Sequence, residues 1–177
     1  EVKKGCHLND SILASMYKNK KKPLIVYVLW ILIGFQSLLG LAGGAIMILD
    51  PTGKSLSIPG IFLMGTPFEN YLVPGLFLLF FLGLFPALSL MGLMEAKWRW
   101  PQVLNLYQHI HWGWTFSLYV AIISILWMDI QVFFIGYWHV IQTFNALMGV
   151  LILIVTLLPV VLNYYRISGT EAADLPQ

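Results

Sequence analysis

PLIVYVLWILIGFQSLLGLAGGAIMIL, residues 23–49, carries no formally charged side chain between Lys22 and Asp50. About 20 predominantly apolar residues in a helix are enough to cross about 30 Å of bilayer hydrocarbon. Three more charge-free stretches of sufficient length follow along the chain. The sequence therefore predicts an all-α polytopic membrane protein, a four-transmembrane-helix bundle within residues 23–165. The four spans are drawn at residues 23–49, 67–94, 101–128 and 136–165, with an outer loop at residues 50–66.

The composition agrees with a chain whose solvent is lipid. Of its 177 residues 59% are hydrophobic and 10% are charged, and the mean hydropathy is +0.79; an ordinary soluble domain has about 25% charged residues. The net charge of +2 gives no basic face for nucleic acid, so no nucleic-acid partner is expected. The single cysteine, Cys6, excludes an intrachain disulfide and a C-x-x-C motif.

The distribution of lysine and arginine predicts the orientation. If the N-terminus is cytoplasmic, Lys54 alone among the ten basic side chains lies outside. Basic residues favour the cytoplasmic side of a membrane. We therefore expect residues 1–22 and 166–177 to be cytoplasmic, in a multi-pass protein of the cell membrane. Residues 8–18 can form a short amphipathic helix on the membrane surface.

The start of the second span carries a capping signal and a recognisable motif. Thr66-Pro67-Phe68-Glu69 fits a capping box, with threonine as N-cap and glutamate three residues later. The longer stretch Thr-Pro-Phe-Glu-Asn-Tyr-Leu-Val-Pro-Gly, residues 66–75, resembles the second-span signature of small bacterial four-span membrane proteins. Residues 127–131, 135–137 and 141–142 resemble the third-to-fourth connection of the same group. The resemblance covers residues 30–160 and implies fold and membrane location; no activity is known for the group.

Small and polar residues inside the spans indicate helix packing. Gly40 and Gly44 form a G-x-x-x-G pair that lets two helices approach closely, and packing within the chain is favoured over packing against another copy. Gln142, Asn145 and Gly149 share one face of the fourth span. We expect the side-chain amides of Gln142 and Asn145 to form interhelical hydrogen bonds worth about 1 kcal/mol each. No charged residue lies deep in a span, which argues against a proton pump, an ion-coupled carrier or a voltage sensor.

The histidines do not predict a cofactor. His109 and His139 belong to opposite ends of the bundle, about 28 Å apart by helix rise, so they cannot share a haem iron. His109 and His111 point about 200° apart on a helix and cannot readily share a metal. A cytoplasmic metal site with Cys6 and His7 is the alternative, but interfacial histidines are the favoured interpretation. No cofactor and no metal site are predicted.

One polar cluster at the outer mouth is the candidate site. It consists of Glu69, Asp129, Gln131, Tyr137, His139 and Gln142. If the apolar residues 58–64 cover it, the cluster becomes a pocket with apolar walls and a few polar groups. An aspartate and a histidine there can act as acid and base. No nucleophile elbow, metal-ligand spacing or phosphate-binding loop accompanies them.

Three functional classes follow from these observations. The favoured one is a non-catalytic membrane protein, either a partner subunit of another membrane protein or a binder of a lipid or other hydrophobic ligand. The first alternative is a membrane enzyme that acts on a lipid or quinone at the outer interface. The second alternative is an oligomeric pore or carrier. The sequence does not fix the oligomeric state.

Overall fold

The computed structural model describes residues 22–56, 60–64, 66–94, 98, 100–107, 109–137 and 139–166. Within these residues no β-strand is present, and four helices are long and apolar enough to cross a membrane. The predicted all-α four-span membrane fold is confirmed. The surface helix expected at residues 8–18 and the tail after residue 166 lie outside the described part of the chain.

The helices are numbered in chain order. They are α1 (Leu24–Leu49), α2 (Leu72–Phe77), α3 (Phe85–Leu93), α4 (Trp112–Ile135), α5 (Val140–Leu157) and α6 (Pro159–Tyr165). A π-helical segment, Leu78–Leu84, joins α2 to α3, and together they form the second span, Leu72–Leu93. Short 3₁₀ turns cover Lys54–Leu56, Gly60–Leu63 and Trp100–Leu104.

The spans pack as an antiparallel bundle in which α1 contacts the second span, α3 contacts α4, and α4 contacts α5. The start of α1, the end of α3, α6 and the described residues between 98 and 111 share one end, called here the aromatic end. The described residues between 50 and 71 and between 136 and 139 share the other end, called the loop end. At the aromatic end the buried Tyr165 hydroxyl accepts a hydrogen bond from Trp30 Nε1 (3.0 Å) and donates one to the Leu93 carbonyl (2.8 Å).

Glycines set the distance between α1 and the second span. A Cβ at Gly40 would overlap the Leu82 carbonyl, and one at Gly44 would lie 2.6 Å from the Leu79 nitrogen. Both glycines are buried, so the G-x-x-x-G pair packs within the chain. The Ser37 hydroxyl donates to the Gly83 carbonyl (2.9 Å) in the same interface.

On the fourth span, Gly149 and Asn145 have different surroundings. A Cβ at Gly149 would come within 3.0–3.3 Å of α4, so this glycine allows α4 and α5 to approach closely. Asn145 is half-buried, and its Nδ2 donates to the Ile141 carbonyl of its own helix (3.1 Å). The hydrogen bond that the structure shows for Asn145 is therefore intrahelical rather than interhelical.

The third span differs from its predicted bounds of 101–128. The helix α4 begins at Trp112 and ends at Ile135. Before it, a buried Asn105 holds a non-helical segment: its Nδ2 donates to the Ile110 carbonyl (2.9 Å), and its Oδ1 accepts from the Thr115 hydroxyl (2.5 Å). These hydrogen bonds satisfy polar groups that a helix over this stretch would have paired internally.

The second and fourth spans also begin or end differently from the prediction. The Thr66 capping box is wrong: helix α2 begins at Leu72, and Thr66 instead donates to the Leu63 carbonyl and accepts from Phe68 N–H. The single helix predicted over 136–165 is two helices, because Leu158 is extended (φ −57°, ψ 132°) before Pro159. A residue that precedes proline disfavours the α conformation.

Candidate functional site

The polar residues at the start of α5 form a helix cap. His139 is the N-cap residue, and its Nδ1 accepts a hydrogen bond from Ile141 N–H (3.2 Å). The Gln142 side chain is buried, accepts from His139 N–H (3.2 Å) and donates to the Gly136 carbonyl (3.3 Å). These reciprocal bonds satisfy donors that a helix start leaves unpaired. A histidine in this role was not anticipated, because serine, threonine, aspartate and asparagine are the usual N-caps.

The other residues of the outer-mouth cluster are distributed over separate elements. The Tyr137 hydroxyl accepts from Thr143 (3.1 Å) and is exposed. Asp129 and Gln131 lie in the last turns of α4, and Asp129 is exposed. Glu69 is exposed and lines a loop-end recess of about 640 Å³ with Thr52, Asn70, Leu63 and others. The described contacts thus join Tyr137, His139 and Gln142 at one helix start, while Glu69 belongs to the recess.

The loop end has one strongly organised carboxylate outside the predicted cluster. Asp50 ends α1 and accepts hydrogen bonds from the hydroxyls of Thr52 (2.6 Å) and Ser55 (2.7 Å) and from their backbone N–H groups. These bonds, that from the Thr52 hydroxyl first, hold the pKa of Asp50 well below its ordinary value of 3.8. The carboxylate is committed to shaping the turn after α1.

A second concavity, smaller than the loop-end recess, lies between the second span, residues 103–106 and α4. Its volume is about 440 Å³, and it is called here the lateral groove. Its lining is Phe81, Phe85, Val103, Leu104, Leu106, Phe116, Tyr119 and Ile123. None of these side chains is charged, and four of them are aromatic. The walls pack ring against ring, with centroids 5.3 Å apart for Phe85 and Phe116 and 6.0 Å apart for Phe116 and Tyr119.

Residues 103–106 form one wall of the lateral groove because α4 begins only at Trp112 and does not include them. The Asn105 side chain fixes it from within, and the Tyr119 hydroxyl donates to the Leu104 carbonyl (3.1 Å) from across the groove. Val103 is 88% exposed, so this wall is formed by side chains that stand on the surface. The sequence prediction placed this segment inside the third span and therefore could not find the groove.

Chemically, the lateral groove offers contact area and very little polarity. The hydroxyl and carbonyl of Tyr119 and Leu104 already bond to each other. A groove with this lining can hold an aliphatic or aromatic group but supplies no acid, base or nucleophile at its surface. Among the described residues, no group of three or more histidine, cysteine, aspartate or glutamate side chains is arranged to hold a metal ion.

Comparison with known proteins adds no relative. The chain matches no protein-family model, no curated protein and no solved structure at a significant level.

Proposed function

We propose that this protein is a non-catalytic membrane protein that binds the hydrocarbon part of a lipid or a similar hydrophobic molecule in the lateral groove. The observation that carries the proposal is the groove itself, which is apolar and formed by three parts of the chain. Its volume of about 440 Å³ lies within the roughly 300–1,000 Å³ typical of small-molecule sites. Each buried methylene of a bound chain contributes about 0.8 kcal/mol.

The position of the groove favours a lipid chain over a water-soluble ligand. It is lined by α3, α4 and the π segment, which belong to spans that a bilayer surrounds with hydrocarbon. Its wall at residues 103–106 lies at the aromatic end, next to the exposed Trp100 and Tyr107. Tryptophan and tyrosine are enriched at the level of lipid headgroups. A lipid can therefore place its headgroup at this end and a chain along the groove.

The hydrogen bonds inside the bundle favour a binder over an enzyme or a pore. The buried serines of α4 donate to carbonyls of their own helix: Ser117 to Gly113 and Trp114, and Ser124 to Val120 (2.8–2.9 Å). Hydroxyls bonded in this way do not offer a continuous polar path for a solute. The hydrogen bonds of His139 and Gln142 in the helix cap support a structural role for these two residues.

The location proposed is a bacterial cell membrane, with both termini in the cytoplasm. The support is the distribution of lysine and arginine in the sequence. Nine of the ten lie in segments adjoining the aromatic end, and Lys54 lies at the loop end. In this orientation the aromatic end faces the cytoplasm and the lateral groove opens into the inner leaflet.

Photocrosslinking in vesicles tests the proposal. The protein is reconstituted in phosphatidylcholine vesicles containing a trace of phospholipid with a diazirine on one acyl chain, irradiated, and mapped by peptide mass spectrometry. We expect adducts on peptides of residues 103–106 and 116–123 to exceed, several-fold, those around Phe133, which is 83% exposed but outside the groove. Filling the groove with Val103→Trp should remove this excess, and the control Val132→Trp, on an exposed part of α4, should retain it.

Equal labelling of the groove and of the surface around Phe133, unchanged by Val103→Trp, would show that only the ordinary lipid annulus contacts the protein. The proposed function would then be wrong.

A further inference from the structure

A buried glutamine, Gln36, lies near the middle of α1, and its side chain has no hydrogen-bond partner among the described residues. Gln36 is 1% exposed, and neither its Nε2 nor its Oε1 has a hydrogen-bond partner in the described part of the chain. It lies near the middle of α1, Leu24–Leu49, and so near the middle of the first span. Hydrocarbon offers no hydrogen bonds, and an unpaired amide there is strongly unfavourable. Either a polar molecule forms hydrogen bonds with this side chain, or folding carries the full free-energy cost of desolvating its amide.

The register of α1 against the second span places Gln36 beside a particular turn. Gln36, Gly40 and Gly44 succeed one another at four-residue spacing and share a face. Gly44 packs against Leu79 and Gly40 against Leu82. Since the two spans are antiparallel, one turn further along brings Gln36 level with Pro86, which is buried.

The backbone of the second span also lacks a hydrogen-bond donor at this turn. Phe85 N–H bonds to the Phe80 carbonyl, five residues back, as π geometry requires. Pro86 has no N–H, so one carbonyl of the preceding turn receives no bond from it. The Ser37 hydroxyl serves the neighbouring Gly83 carbonyl (2.9 Å). π-helical segments occur frequently at functional sites.

We propose that Gln36 and the turn of the second span that ends at Pro86 form a buried binding site for one water molecule in the interior of the bundle. A water molecule both donates and accepts, so it can accept from Gln36 Nε2 and donate to Gln36 Oε1 or to a backbone carbonyl. Buried waters typically make about three such bonds to otherwise unsatisfied groups. Gly40 and Gly44, on the same face of α1, pack directly against the backbone of the second span.

Nuclear magnetic resonance of the intact chain in detergent micelles tests this site. The Gln36 side-chain amide is assigned by its loss in Gln36→Leu, or in Gln36→Met should the first variant not fold. We expect a rotating-frame cross-relaxation peak between the Gln36 Nε2 protons and water, with the sign of dipolar contact rather than of proton exchange. The internal control is the indole N–H of Trp114, equally buried but bonded to the Thr156 carbonyl (2.8 Å), which should show no such peak.

Absence of the water peak at Gln36 in the folded protein would overturn the proposal. The peak is expected to disappear in Gln36→Leu and to persist in a second glutamine-to-leucine variant, because only the first change removes this side-chain amide. Gln131→Leu, at the less buried end of α4, is the matched control for a glutamine-to-leucine change in a span.

Discussion

The contact between α1 and the second span predicts opposite effects of one methyl group at two glycines three residues apart. At Gly40 a Cβ would overlap the Leu82 carbonyl carbon and oxygen. At Gly43 the nearest atom is Leu78 Cδ1, 4.0 Å away, an ordinary van der Waals distance. The change Gly→Ala therefore inserts the same group into a closed interface at the first position and into available space at the second.

The magnitudes follow from the atoms that the methyl group meets. Overpacking typically destabilises a core by about 1–3 kcal/mol, and Gly40→Ala belongs at the upper end because backbone cannot rotate away. Alanine gains about 1 kcal/mol of helix propensity over glycine. We expect Gly40→Ala to lose about 2 kcal/mol of unfolding free energy, which is about 30-fold in the equilibrium constant. Gly43→Ala should gain up to about 1 kcal/mol.

Reversible unfolding in mixed dodecyl sulfate and non-ionic detergent micelles, followed by tryptophan fluorescence, measures both variants against the wild type. If the unfolding free energies of Gly40→Ala and Gly43→Ala agree within about 0.5 kcal/mol, the α1 interface is looser than described and the reasoning from glycine contacts fails.

Three further predictions concern the ends of the bundle. Tyr165→Phe removes the hydroxyl that joins Trp30 to Leu93, and should lower the unfolding free energy by about 1–3 kcal/mol; Tyr27→Phe, at an exposed site, should change it little in the same detergent titration. His139→Ala should destabilise the start of α5 by about 1 kcal/mol, seen as faster amide hydrogen exchange at residues 140–143, and His139→Asn should restore the cap; unchanged exchange in the alanine variant contradicts the cap. The Asp50 pKa is lowered on folding, so its stabilisation is complete above the ordinary value of 3.8 and is lost as pH falls through the folded pKa. A titration followed by the carboxyl-carbon resonance should show Asp50 still ionised at pH 3. A midpoint near 3.8 would contradict the hydrogen bonds that Thr52 and Ser55 donate to this carboxylate.

The first span could be read from the sequence because charges flank it closely. Its predicted bounds, 23–49, differ from α1 by one residue, since Lys22 and Asp50 both lie next to the helix ends. The charges that flank the predicted third span, Arg99 and Asp129, do not lie at the ends of its helix. Residues 100–111 are uncharged whether they continue a helix or lie at the interface, and the hydrogen bonds of Asn105 that decide between these are tertiary. The predicted end of the third span, next to Asp129, is too early, because α4 continues about 9 Å beyond Asp129.

The candidate sites were less accessible to sequence reasoning than the fold. Charge and hydropathy place His139 and Gln142 near one membrane surface, but not the hydrogen bonds that make them a cap. The lateral groove consists of aromatic and aliphatic residues that look like any lipid-facing surface in the sequence. Its existence depends on the break before Trp112, which the hydropathy pattern does not signal.

The hydrogen bond from Trp30 to Tyr165 can form only late in biosynthesis, after the last helix has been made. The two residues are 135 positions apart, and a ribosome adds about 5–20 residues per second. The first span therefore waits roughly 7–27 seconds in the membrane before its indole N–H meets its final acceptor. The close glycine contacts with the second span are available much earlier. The nascent protein should thus exist first as a helical hairpin, and the last helix to emerge completes the contacts of the first.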